Sequence, residues 1–276
     1  MKLPLSLLLF SFPLFLSCQQ GKETTGTGNQ VIRIAGSETL HPLLDRWSEE
    51  YMIKNPGISI RVTGGGSRYG LKALIDGKTD IAATSRPLKP DEVKRLADSH
   101  QGVGVSFLVA KDAITIYVNE QNPVRNLSLE AIRHIFTGTI TNWKEVGGAD
   151  TAIQVFIRPP NSGTYQYFLE HVLLNKNYSP GAAAIPTAEL VAEVVSKSRH
   201  GIGYGTISHR FPSRNIPVNG IEPTEQTVRS ESYPLTRYLY LVVPNTPDPS
   251  VMNFIGWVQG EQGQAIVREL GYVPLW

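Results

Sequence analysis

The chain has 276 residues, 41% hydrophobic and 18% charged, with 25 Gly and 19 Pro, which describes a folded globular protein and excludes a disordered tail or a coiled coil. Its 26 Lys and Arg against 24 Asp and Glu leave a formal +2, too small an excess for a nucleic-acid or bulk-membrane binder. A single cysteine rules out an internal disulfide, so the folded part must hold together by its core alone.

In chain order, the first feature is an apolar run from Leu3 to Leu16. Its 14 residues are too few for a spanning helix, which takes roughly 20. With Lys2 ahead and Ser17 behind, the run reads as the apolar region of an export signal, expected over 1–17. Leu14-Phe15-Leu16-Ser17-Cys18 resembles the cleavage box of bacterial lipoproteins, with Phe15 where that family usually carries Leu. The resemblance implies that Cys18 is lipidated. Gln19 to Gln30 has no apolar residue and is rich in Gly and Thr, so 18–30 is expected to be a lipid-bearing cysteine and flexible tether. What remains exceeds one average domain, and two lobes are expected.

Short apolar strands then alternate with helical patterns, the signature of an α/β protein with mostly parallel sheets. Val31–Ala35 reads as a strand and Thr39–Tyr51 as a helix, with Leu43, Leu44 and Trp47 on one face. Ile58–Val62 is a second strand, followed by a glycine run and a helix to about Ile75. Asp80–Thr84 and a helix over Asp91–Asp98 come next. Ala113–Val118 is strand-like, and Ser128 caps an expected helix over Leu129–Phe136 that stops at Gly138. Ile153–Ile157, a helix over Thr164–Leu174 and another over Ala188–Ser198 follow. Tyr238–Val243 is an apolar strand, and two helices close the chain, about Ser250–Val258 and Gln262–Leu270.

Three strand-to-helix junctions share one chemistry: Gly36-Ser37-Glu38-Thr39, Gly64-Gly65-Gly66-Ser67 and Asn161-Ser162-Gly163-Thr164. The first amides of a helix lack carbonyl partners and lie at the positive end of its dipole. Ser and Thr hydroxyls add donors, and Gly lets an anion approach the backbone, so each junction can hold an oxyanion. Singly each is an ordinary cap; together, at the carboxyl ends of strands, they point to one shared cleft. Arg158, four residues before Ser162, adds a guanidinium able to grip two oxygens of a tetrahedral anion. Nucleotide motifs fail on spacing: Tyr69 stands where GxGxxG needs its last glycine, and Lys72 where a P-loop ending at Gly77-Lys78-Thr79 needs its first. The six histidines are scattered without a ligand spacing and no GxSxG elbow occurs, so no enzyme, metal or cofactor is expected.

These residues resemble the periplasmic phosphate-binding proteins that feed ABC transporters. The resemblance runs from about Val31 to Gly271. It rests on Gly36-Ser37-Glu38-Thr39, Gly66-Ser67, Thr79–Leu88, Ile135-Phe136-Thr137-Gly138 with Asn142-Trp143, Arg158 with Ser162-Gly163-Thr164, and Gly201-Ile202-Gly203-Tyr204. It implies a two-lobed, Venus-flytrap α/β fold of type 2 periplasmic binding proteins, with a two-strand hinge. Lobe 1 would span 31–112 plus 239–276, and lobe 2 113–238. Phosphate would be held by Glu38 (through its backbone), Thr39, Ser67, Arg158, Ser162, Gly163 and Thr164. Well-known members carry a carboxylate after the serine of the third strand, where this chain has Arg86; the expectation is that Arg86 contacts the anion and weakens rejection of sulfate, unless Glu38 supplies the missing acceptor. The resemblance further implies a monomeric, exported, membrane-anchored lipoprotein that captures inorganic phosphate and meets an ABC-transporter permease, without binding nucleic acid. The alternatives are a receptor for sulfate, arsenate or molybdate, an envelope signalling or adhesion protein that keeps the fold, and, third, an enzyme such as a phosphatase.

Overall fold

The computed structural model describes residues 30–208 and 211–276. The expected export signal, Cys18 and the tether up to Asn29 lie outside the described residues, as does His209. The elements are β1 (Gln30–Gly36), α1 (His41–Lys54), β2 (Ile58–Thr63), α2 (Ser67–Ile75), β3 (Ile81–Thr84), α3 (Pro90–His100), β4 (Val105–Asn119) and α4 (Leu129–Thr137). After a 3-10 turn at Trp143–Val146 come β5 (Gln154–Ile157), α5 (Gly163–His171), β6 (Ala183–Ala184), α6 (Ala188–Lys197), β7 (Gly201–Thr206) and β8 (Ser213–Ile216). The chain closes with α7 (Glu225–Arg229), β9 (Thr236–Val243), α8 (Pro249–Gln259) and α9 (Glu261–Glu269).

The α/β class read from the sequence is the one the chain adopts. Its strands form an open sheet in the order β2-β1-β3-β9-β4-β7-β5-β6, with β8 also paired to β4. Parallel ladders join β1 to β2 and β3, and β5 to β6 and β7. The centre differs from the mostly parallel expectation. There β9 runs antiparallel to β3 and β4, and β4 antiparallel to β7 and β8. The outer strands β1, β2 and β3 are linked through helices, which enforces parallel neighbours. β9 instead returns late in the chain to lie between β3 and β4, and no helical crossover sets its direction.

Two buried apolar clusters flank this centre. The first gathers Ile32, Leu43, Trp47 and Phe254 with Val109 and Ala110 of β4 and Leu239, Leu241 and Val243 of β9. The second gathers Ile135, Phe136, Phe168 and Tyr204 with Ala113, Ile114, Ile116 and Val118 of β4, and Leu235 just before β9. One 15-residue strand, β4, therefore feeds both clusters. Between them lies a polar seam, where Asp112 stands directly opposite Arg237 in the β4–β9 ladder.

Local chemistry explains the elements beside the seam. The Trp47 indole seats α1 by donating to the Gly263 carbonyl at 2.9 Å. The Ser128 hydroxyl caps α4 by accepting from the Ala131 amide at 3.0 Å. Phe136 meets Phe168 edge-on at 4.9 Å, and Phe168 stacks on Tyr204 at 4.0 Å. Such pairs add roughly 0.5–1.5 kcal/mol beyond their buried area. The cluster forms a rigid floor, since Tyr204 Oη also accepts from the Arg158 backbone amide at 3.4 Å.

Candidate functional site

All three junctions meet at the seam. From the first, the Thr39 hydroxyl lies 3.1 Å from that of Thr164 in the third. From the second, the Arg68 amide donates to the Asn161 carbonyl at 3.3 Å, and the Asn161 amide group donates back to the Gly65 carbonyl at 2.8 Å. Two close approaches require glycine. Gly66 has φ +84°, and a Cβ there would sit 2.7 Å from the Asn161 carbonyl oxygen. A Cβ on Gly163 would lie 2.3 Å from Ser67 Oγ and 2.5 Å from Ser85 Oγ. The start of α5 thus presses directly on two hydroxyls of the opposite cluster's side.

The junctions are not equivalent. α2 begins at Ser67 and α5 at Gly163, so both offer first-turn amides toward the seam. The first junction is instead a turn, and α1 starts at His41 rather than at the expected Thr39. The cause is Ser37: its hydroxyl accepts from the Thr39 amide at 3.2 Å and its carbonyl from the Leu40 amide at 3.0 Å. What Thr39 brings to the seam is its side chain. The Glu38 carboxylate accepts from the Gly65 amide at 2.5 Å, which ties the first junction to the second.

Hydrogen-bond valence shows which way the hydroxyls can act. Ser162 Oγ accepts from the Tyr165 amide at 3.4 Å, and Ser67 Oγ accepts from the Ser85 amide at 3.2 Å. Each hydroxyl then keeps its own proton to donate.

Arg158 is 1% exposed, at the end of β5. Its Nη2 donates to the Pro186 carbonyl at 2.7 Å, while Nε and Nη1 are buried without a hydrogen-bond partner. Burial pulls this guanidinium down from its ordinary 12.5 to about 10; Tyr204 and the Glu38 carboxylate oppose the fall, and Arg237 adds to it. A buried cation with two idle donor nitrogens is one that the oxygens of an anion can satisfy.

Arg86, expected to contact the anion, is turned toward protein acceptors. Its Nε donates to Gln166 Oε1 at 2.6 Å, and Nη1 and Nη2 grip the two Glu92 carboxylate oxygens at 2.8 and 2.7 Å. Nη1 also reaches the Pro87 carbonyl at 2.7 Å. Each of its three nitrogens thus donates to a protein acceptor, and Arg86 ties α3 to α5. Burial pushes the Glu92 carboxyl up, but hydrogen bonds from Arg86 and the Lys89 amide outweigh this and hold it below its usual range.

Sequence reasoning missed three residues here. Ser85 follows β3 and touches Ser67, hydroxyl to hydroxyl, at 3.4 Å. Arg237, on β9, donates through Nε and Nη2 to Asp112 Oδ2 at 2.9 and 2.7 Å, and through Nη1 to Thr164 Oγ1 at 2.9 Å. Asp112, fully buried, also accepts from the Thr206 hydroxyl at 2.7 Å. For the two charged residues the available signal was a charge inside an apolar strand, alone at Arg237 in β9 and beside Lys111 at Asp112 in β4. Beside the seam opens a cleft of about 480 Å³ whose walls include Glu38, Thr39, His41, Thr187, Thr206 and Tyr272. Among the described residues no three His, Cys, Asp or Glu side chains gather as a metal site, and no helix is long and apolar enough to cross a membrane.

A site of this chemistry on this fold has relatives. The model of the PBP superfamily domain matches residues 21–262. The phosphate-binding protein PstS of Pseudomonas aeruginosa is 31% identical over 263 residues, covering 87% of this chain and 81% of that one. A putative phosphate ABC transporter substrate-binding protein from Clostridium perfringens, solved with bound phosphate, superposes with a TM-score of 0.83 at 29% identity, over 90% of this chain and 100% of that one. An ABC-type phosphate transport receptor from Vibrio cholerae gives a TM-score of 0.75 at 29% identity, over 88% and 99%. The chain belongs to the PBP superfamily and, within it, to the family of PstS phosphate-binding proteins.

Proposed function

We propose that this chain captures inorganic phosphate outside the cytoplasm and delivers it to an ABC importer, without chemical turnover. The observation that carries the reading is Arg158, buried and charged, with two donor nitrogens facing no protein acceptor. A tetrahedral oxyanion supplies the missing acceptors, and family membership makes phosphate the anion of choice. In this reading the anion takes Arg158 Nε and Nη1, the first-turn amides at Gly163 and Thr164, and hydroxyls from Thr39, Ser67, Ser162 and Thr164. Glu38 contributes its backbone, as the resemblance implies, while Arg86 is left out because Glu92 and Gln166 occupy it.

The mechanism follows from the two apolar clusters. Lobe 1 is 31–112 plus 239–276 and lobe 2 is 113–238, with β4 and β9 as the hinge. The contacts of Thr39 with Thr164, Asn161 with Gly65 and Arg86 with Gln166 join the two sides and describe a closed form. Capture closes the lobes on the anion and presents a surface that an open protein lacks; a permease reads that surface. Cys18, lipidated, holds the monomer at the membrane through its tether.

Calorimetry with phosphate on the wild-type protein and on Arg158→Ala tests this. Expected are binding by the wild type and loss of about a hundredfold or more in the variant. Parallel titration with sulfate reads selectivity. Binding of neither anion, or undiminished phosphate binding by Arg158→Ala, overturns the reading.

A further inference from the structure

Arg237 has no counterpart among the residues expected at the site, yet it touches the site from the hinge. Its guanidinium is 2% exposed and is fixed on one side by Asp112, its cross-strand partner, through Nε and Nη2. The remaining nitrogen, Nη1, reaches past the strand to Thr164 Oγ1 at 2.9 Å and to the Ser85 carbonyl at 3.4 Å. One residue near the start of β9 thereby contacts the third junction and the end of β3 together.

The consequence lies in the direction of a proton. A guanidinium only donates, so Thr164 Oγ1 must accept from Arg237. Its own proton is then free to point onward, either to an anion or to Thr39 Oγ1, 3.1 Å away. In the second case the Thr39 proton is displaced toward the anion in turn. Either way the pair delivers a donor, and Thr164 Oγ1 has a lone pair committed to Arg237. Asp112 neutralises the guanidinium that performs this task, so the orienting group adds little net charge beside Arg158.

We propose that Arg237, held by Asp112, is a positioning residue of the oxyanion site that acts through Thr164, polarising the Thr164 and Thr39 hydroxyls as donors to the bound anion. This rests on the phosphate reading above. It makes Arg237 part of the affinity of the site although it need not touch the ligand.

The test is a double-mutant cycle read in phosphate affinity by calorimetry, with Arg237→Gln, Thr164→Val and the double variant. Melting of each ligand-free protein is recorded alongside. Each single change is expected to weaken phosphate by about tenfold or more. The double variant should be no more than about threefold weaker than the poorer single, because both changes remove one relay. A purely structural role for Arg237 would lower melting yet leave the two binding losses multiplicative. If Arg237→Gln does not fold, Arg237→Lys replaces it in the same cycle; it keeps the charge against Asp112 and lacks the second branch that reaches Thr164. Unchanged affinity in the Arg237 variants, or multiplicative losses, overturns this assignment while the wild type still binds phosphate. Failure of the wild type to bind phosphate overturns the functional reading itself, and this assignment with it.

Discussion

Replacing Arg158 by methionine should make the ligand-free protein more stable and nearly abolish anion capture. Burial lowers the guanidinium from 12.5 to about 10, and at about 1.4 kcal/mol per pH unit this costs the folded state about 3 kcal/mol at neutral pH. Methionine keeps an unbranched apolar stem in the same space, but strands the Pro186 carbonyl that Nη2 now serves, a loss of about 1 kcal/mol. The balance favours the variant by about 2 kcal/mol, a rise in melting temperature of ~4–8 °C for a chain of this size. The sign carries a pH signature. Because the folded-state value is depressed below the unfolded one, the penalty is fully present below pH about 10 and fades as pH rises through it. The variant's advantage should therefore disappear at strongly alkaline pH. Phosphate binding loses at least two charge-assisted bonds of about 1.5–3 kcal/mol each, ~10²–10⁴-fold in affinity. Scanning calorimetry with and without phosphate reads both arms. A variant that melts below the wild type and still gains stability from phosphate would refute the reasoning.

Glu92→Gln breaks the Arg86 pair, whose side chains are 4% and 7% exposed, and should cost about 3–5 kcal/mol in denaturant unfolding at neutral pH. Since the Glu92 carboxyl is held below its usual range, the pair's contribution is complete above the unfolded value and is lost as pH falls through the folded one. Wild-type stability should then drop more steeply with acid than that of Glu92→Gln, and parallel acid profiles would contradict this. Gly163→Ala places a methyl 2.3 Å from Ser67 Oγ and 2.5 Å from Ser85 Oγ, so closure must displace site donors. About a tenfold loss of phosphate affinity in calorimetry is expected; unaltered affinity would show that the junctions need not meet so closely.

Much of this fold was written locally. The Ser128 cap and the Gly138 stop bracket α4 within a residue of their expected places, because caps act on amides three residues away. The serine at the head of α5 was equally plain, and the structure uses Ser162 both as that helix's cap and as a seam residue. Local pattern fails where the partner is distant in sequence. The apolar run Ala113–Val118 marks only half of β4, whose earlier half begins exposed at Val105 and Ser106, becomes buried at Val109 and Ala110, and continues the same strand. β7 reads poorly because three of its six residues are glycines, which carry no strand preference; two of them pack beneath Val191 and beside Tyr117. Arg86 and Arg237 could not be told apart by residue type. One is spent on Glu92 and the other on Asp112, and both pairings depend on tertiary placement or strand register.

That placement bears on the charge a ligand would carry. Three arginines are buried at or beside the seam, Arg86, Arg158 and Arg237, against two buried carboxylates, Glu92 and Asp112. Each carboxylate grips one guanidinium, and Arg158 alone of the three is left over with idle donors. The heads of α2 and α5 add roughly half a positive charge each, so with Arg158 the seam carries roughly two positive charges, part of which the half-buried Glu38 carboxylate on the Gly65 amide offsets. A dianion meets this positive field better than a monoanion does. Hydrogen phosphate should accordingly bind better than dihydrogen phosphate, and affinity should climb as pH rises through phosphate's second ionisation. It should decline again once pH passes about 10, where the buried Arg158 guanidinium begins to lose its proton. Calorimetric titrations across that range, with sulfate as a dianion whose charge stays fixed, separate the two effects. Phosphate affinity that stays flat through the second ionisation would mean the seam holds less positive charge than its arginines and helix heads supply.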